Sequence, residues 1–147
     1  MERLLVEIKL NKDKLQSIAL FERLTGVAPK DCIKSGDGSR LTFVVDEQDM
    51  GKAIGENGRN IQKVREKVNK VVHVVEYFSD PEEFLKNIFS PVEVKSIELN
   101  EKAGKKTARI KVDESEKGRA VGKNGWNIER ARKLSNRHHG LNDVVFE

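Results

Sequence analysis

The sequence predicts an α+β fold built twice in tandem, and three observations predict it. The stretch Gly51-Lys52-Ala53-Ile54-Gly55-Glu56-Asn57-Gly58-Arg59-Asn60-Ile61 returns 67 residues later as Gly118-Arg119-Ala120-Val121-Gly122-Lys123-Asn124-Gly125-Trp126-Asn127-Ile128. The same offset pairs Asp46 with Asp113, Lys63 with Arg130, Arg65 with Arg132 and Lys70 with Arg137, so a whole unit is repeated. Around each copy, short segments with strand character alternate with segments whose apolar residues recur every three or four positions.

In chain order, residues 1–10 alternate apolar and charged residues and read as an extra strand able to pair with a sheet edge. Residues 12–25 read as a helix, with Asn11 as N-cap candidate, Leu15, Ile18, Ala19 and Leu24 apolar, and Gly26 placed to end it. A hairpin follows, turning at Ser35-Gly36-Asp37-Gly38-Ser39 and returning through the strand Leu41–Val45. Asp46-x-x-Asp49 resembles a capping box and opens a short helix that runs into Gly55-Glu56-Asn57-Gly58. Beyond that turn, Ile61, Val64, Val68 and Val71 mark the buried stripe of a second helix, and Val71–Val75 closes the unit as a strand.

The second unit opens at Ser79-Asp80-Pro81-Glu82-Glu83, where a capping residue, proline at the first helical position and acids in the first turn mark a helix start. Asn100 to Gly104 supplies its hairpin turn, Ala108–Val112 its central strand, and Asp113-x-x-Glu116 its short helix. Gly122-Lys123-Asn124-Gly125 then leads into a helix carrying Ile128, Ala131 and Leu134, with a loop expected at His138-His139 and a last strand at 144–146. Residues 1–78, extra strand included, are expected to form the first domain and 79–147 the second. Each is a small three-stranded sheet with helices on one face.

Composition narrows the function. Residues 51–70 carry six Lys and Arg against two Glu, and 117–137 carry seven against one. The chain as a whole is only +4, so two basic islands sit in an otherwise acidic protein, as a localised polyanion site requires. The single Cys32 excludes an internal disulfide and a multi-cysteine zinc site and suits a reducing cytoplasm. No apolar run has the roughly 20 residues of a membrane span, so no membrane partner is expected. Neither is a metal or cofactor. Nothing gathers a nucleophile, a base and an orienting group. Gly118-x-x-x-Gly122-Lys123 is one residue short of a phosphate-binding nucleotide loop and has Asn124 where Ser or Thr would hold magnesium.

Both islands centre on the Gly-x-x-Gly turns. A turn of this kind between two helices exposes backbone N–H groups beside the positive end of the second helix, and glycine lets a phosphate come close. This resembles the KH module, whose Gly-x-x-Gly clamps the backbone of about four nucleotides of single-stranded RNA. On that reading Ile54 and Val121 line the groove, and Lys52, Arg59, Lys63, Arg119, Lys123 and Arg130 supply charge. Gly55, Gly58, Gly122 and Gly125 shape the turns, with Glu56, Asn57 and Asn124 between them and Asn60 and Asn127 one turn further on. Trp126 is placed either to stack on a base or to pack against the neighbouring domain. Glu56 repels phosphate where Lys123 attracts it, so the second module is expected to bind more tightly. The competing reading is a KH-fold scaffold for proteins that has lost RNA.

A family resemblance extends over nearly the whole chain. Ala19-Leu20-Phe21-Glu22, Thr25-Gly26, Asp31-Cys32-Ile33, Met50-Gly51-Lys52-Ala53-Ile54-Gly55, Val75-Glu76-Tyr77, Asp80-Pro81-Glu82-Glu83-Phe84 and Asn127-Ile128-Glu129-Arg130-Ala131-Arg132 follow one another as in the archaeal NusA-like transcription factors. The resemblance implies the type II KH topology. It also implies a factor that binds nascent RNA, has RNA polymerase as a further partner, and acts on elongation and on termination or antitermination; separately, a monomer that is not an enzyme is expected. Bacterial members of that family carry an additional polymerase-binding domain and an S1 domain that this chain does not match.

Overall fold

The computed structural model describes residues 2–147; within residues 2–10 it describes the side chains of Glu2 and Leu4 alone. Backbone contacts divide the chain into two compact units, with the division between Tyr77 and Phe78. In the first unit α1 (Glu2–Thr25) precedes β1 (Asp31–Lys34) and β2 (Arg40–Asp46). A single 3-10 turn then leads to α2 (Met50–Ile54), the glycine turn, α3 (Arg59–Val68) and β3 (Val71–Tyr77). The sheet order is β1-β2-β3, with β1 antiparallel and β3 parallel to β2. A parallel neighbour demands a crossover, and α2, the turn and α3 are that crossover. The glycine turn is therefore held at the corner of the connection that closes the sheet.

The second unit repeats the plan with α4 (Pro81–Phe89), β4 (Val94–Lys102), β5 (Lys105–Val112), α5 (Lys117–Val121), α6 (Trp126–His139) and β6 (Asp143–Phe146). Its sheet order is β4-β5-β6, again with one antiparallel and one parallel pair. The two domains are thus the α+β modules that the repeat predicts.

Burial explains the folding of each unit. In the first, Phe21, Cys32, Leu41, Phe43, Val45, Ala53, Ile61, Val64 and Val72 form one core, with the Phe21 and Phe43 rings stacked 4.3 Å apart. The β2 residues between these, Thr42 and Val44, are also fully buried. In the second, Phe84, Leu85, Ile88, Ala108, Ile110, Ala120, Ala131 and Leu134 are among the most deeply buried.

Three expectations are corrected. The extra strand expected over residues 1–10 is, for residues 2–10, instead the start of α1, whose backbone is helical from Glu2 onward; Met1 lies outside the described residues. Leu, Glu, Arg and Lys dominate that segment, and extending an existing helix avoids the cost of a new nucleus. Asn11 accordingly lies inside α1. His138 and His139 are the last residues of α6 and not a loop, because the helix ends only where Gly140 takes the left-handed conformation. Both imidazoles pack on Phe84. Asp46 and Asp113 precede their 3-10 turns with no side-chain capping bond. Asp80 does cap α4, accepting from the Glu82 N–H at 3.4 Å.

Candidate nucleic-acid interface

The two glycine turns have the same shape to within a few degrees. Gly55 and Gly122 adopt φ/ψ of 79/168 and 83/168, a region open essentially to glycine alone. Asn57 and Asn124 are left-handed at 56/27 and 56/26, followed by Gly58 and Gly125 at 73/17 and 71/16. Asparagine is among the few side chains that visit this conformation routinely, which accounts for its presence in both turns whatever else it contacts. Glu56 and Lys123 are exposed, as are both asparagines. The first hydrogen bond within each turn is made by the second glycine, whose N–H donates to the first glycine's carbonyl at 3.1 and 3.0 Å. The amides of residues 56–57 and 123–124 precede that bond and have no acceptor within the turn.

What locks the shape is an asparagine in the following helix. Asn60 Nδ2 donates to the Lys52 carbonyl at 2.8 Å and Asn127 Nδ2 to the Arg119 carbonyl at 3.1 Å. Each amide thereby ties the second helix to the end of the first across the turn. The fit is tight: a Cβ at Gly55 would lie 2.8 Å from Asn60 Cγ, and one at Gly122 would lie 2.7 Å from Asn127 Cγ. Asn60 and Asn127 are therefore positioning residues, each with one amide N–H committed to backbone. The only trace of this in the sequence is that each stands five residues after the first glycine of its turn.

Around the first turn Lys52, Arg59 and Lys63 are exposed and Ile54 is half-buried. Asn57, Gly58, Arg59, Gln62, Lys63, Arg65 and Glu66 line one open depression of about 370 Å³ running from the turn along α3. Around the second turn Lys123 is exposed and Val121 half-buried, while exposed Arg119 pairs with Glu116 at 2.9 Å. A surface pair of this kind is worth about 1 kcal/mol or less, so a phosphate can replace the carboxylate.

Two expected contact residues are corrected. Arg130 is 3% exposed and donates to the Ile88 carbonyl at 2.9 Å and to Asn127 Oδ1 at 3.3 Å. It is a cap on the C-terminal turn of α4, where a cation meets the negative end of the helix dipole. Trp126 is also 3% exposed, with the Lys133 ammonium 5.8 Å from its ring centroid, so no face is open to a base. Its indole N–H has no hydrogen-bond partner among the described residues.

Other cations of the two islands also serve the fold. Arg65 donates to the Val72 carbonyl at 3.3 Å, and Arg132 to the Val144 carbonyl at 3.1 Å, so each fastens its helix to the last strand of its unit. Lys70 Nζ donates to the Gly38 carbonyl in the first hairpin. Charge counting could not separate these structural cations from exposed Arg59, Lys63 and Lys123. Among the described residues no cluster of His, Cys, Asp and Glu is placed to hold a metal, and no helix is long and apolar enough to cross a membrane.

Comparison with known proteins agrees with this geometry. Residues 16–77 match the KH domain and residues 81–143 the NusA-like second KH domain. A probable transcription termination protein NusA from Methanococcus vannielii is 32% identical over 139 residues, covering 95% of this chain and 79% of that protein. One of the same description from Halococcus morrhuae is 34% identical, covering 95% and 98%. The crystal structure of APE1850 superposes with a TM-score of 0.77 at 41% identity, covering 92% of this chain and 98% of the other.

Proposed function

This chain belongs to the NusA family of KH-domain RNA-binding transcription factors, which are not enzymes, and we propose that it grips single-stranded RNA at both Gly-x-x-Gly turns. The observation that carries the proposal is the pair of matching turns, each with leading amides that have no acceptor within the turn, a left-handed asparagine and exposed cations alongside. The repeat keeps the glycine-only dihedrals and the asparagine tie in both copies. Their common task is to present backbone donors to phosphate.

The two modules divide the charge differently. The second offers Lys123 within the turn, where the first has Glu56. The first offers Arg59 and Lys63 beyond the turn, where the second has buried Trp126 and Arg130. Within the turn itself the second module is the stronger clamp. We place the protein in the cytoplasm as a monomer acting on nascent RNA, with RNA polymerase as its further partner and elongation, termination or antitermination as its point of action.

Affinity for an unstructured oligoribonucleotide, measured by fluorescence anisotropy across a salt series, tests the proposal. Each neutralised phosphate contributes about −0.7 to the log-log slope. Lys123→Asp with Asn124→Asp weakens binding more than Asn57→Asp does beside the existing Glu56. Absence of binding at low ionic strength, or wild-type affinity in the double mutant, defeats the proposal and leaves the protein-scaffold reading.

A further inference from the structure

The outer face of the second sheet carries a row of cations that the glycine turns do not use. Along β5, Ala108, Ile110 and Val112 point into the core with exposures of 0%, 0% and 5%. Side chains alternate along a strand, so Lys105, Thr107, Arg109 and Lys111 share the opposite face, and the three cations among them are exposed. Across the hairpin, Lys102 stands directly opposite Lys105. Like charges in that relation cost stability unless an anion lies between or above them.

Acids on the neighbouring strands share this face without closing ion pairs on the row. Glu98 stands opposite Arg109 in register, yet among the described residues none of the four cations forms an ion pair. Asp143, opposite Thr107, is engaged by Arg132 at 3.1 Å. In the first unit the residues corresponding to Arg109 and Lys111 are Thr42 and Val44, both fully buried. The exposed cationic sheet face is thus a property of the second unit alone.

From this we infer that the outer face of β5 is a second contact for RNA, one that holds the phosphodiester backbone without reading its bases. The inference rests on the reading that the chain binds single-stranded RNA. Alternate residues of a strand stand about 7 Å apart, a spacing on which phosphates of an extended polynucleotide can seat in succession. Among the described residues the face offers no aromatic ring, so it has no platform for base stacking; its apolar neighbour, Val145 beside Arg109, is half-buried and is not the large aromatic anchor on which a protein partner's interface usually centres.

The test compares Lys105→Glu, Arg109→Glu and Lys111→Glu combined in the full chain with wild type, using oligoribonucleotides of about four nucleotides, the span of one KH groove, and of about twenty. The triple variant is expected to keep short-oligonucleotide affinity. It should lose on the order of tenfold to a hundredfold for the long one at 0.1 M salt, with the slope shallower by about 2. The glutamine triple at the same positions gives the same shallower slope, and it serves if charge reversal disturbs folding. Unchanged long-oligonucleotide affinity and slope in either triple overturn the inference, and the face is then a solvated surface or a site for an acidic protein. Failure of the wild type to bind the short oligonucleotide is a separate outcome that sinks the glycine-turn proposal instead.

Discussion

Replacing Gly122 by alanine tests whether the turn is a built device or an ordinary corner. At φ/ψ 83/168 a residue with a Cβ is strained by about 1–3 kcal/mol. The added carbon would also lie 2.7 Å from Asn127 Cγ, 2.9 Å from its Cβ and 2.9 Å from its backbone N. A backbone atom cannot swing aside. Relief requires moving the start of α6, which breaks the 3.1 Å bond from Asn127 Nδ2 to the Arg119 carbonyl, worth about 1 kcal/mol net. Together these give a loss of roughly 3 kcal/mol, a large share of the 5–15 kcal/mol that holds a domain. Gly118 is the internal control, because it is helical and a Cβ there meets nothing within 4 Å. Gly118→Ala should be neutral or stabilising by up to about 1 kcal/mol. Urea denaturation of both variants and the wild type gives the comparison. A Gly122→Ala loss below about 0.5 kcal/mol, or one equal to that of Gly118→Ala, would refute the account of how the turn is locked.

Other consequences follow from named contacts. Glu56→Lys gives the first turn the charge of the second, and RNA affinity should rise with the salt slope steeper by about 0.7; an unaltered slope would mean that the first turn does not touch phosphate. Arg130→Met removes the cap on α4 and should cost about 1.5–3 kcal/mol in denaturation, while the RNA salt slope stays that of the wild type, since the guanidinium is not at the surface. The Asp37 carboxyl, accepting from the Ser39 N–H at 3.0 Å and from the Ser39 and Ser35 hydroxyls, is held from its ordinary 3.8 down to about 2. A depressed carboxyl stabilises the fold above its unfolded value and loses that contribution as pH falls through the folded one. The hairpin turn should therefore hold at pH 4 and loosen towards pH 2; a Ser39 amide resonance that titrates near 3.8 would contradict the bonding seen.

Much of this protein was legible before any coordinates. The repeat at a spacing of 67, the strand-helix-turn-helix-strand order, the Asp80-Pro81 helix start and the place of the glycine turns follow from local rules. Period, capping and glycine act between residues close in sequence, and such rules can be read along the chain. The N-terminal ten residues escaped them because alternation suggested a strand while composition favoured a helix, and continuity with α1 decided between the two.

The fate of the individual cations belonged to the tertiary structure. Arg59 and Arg130 lie in the same pair of islands, yet one is exposed beside its turn and the other is folded onto a carbonyl 42 residues away. Asn57 and Asn60 are three residues apart, and only packing separates the one that faces solvent from the one that ties two helices together. Charge and residue type state what a side chain can do. Which partner it meets depends on carbonyls brought near by the fold, and that distance is not written in the order of the residues.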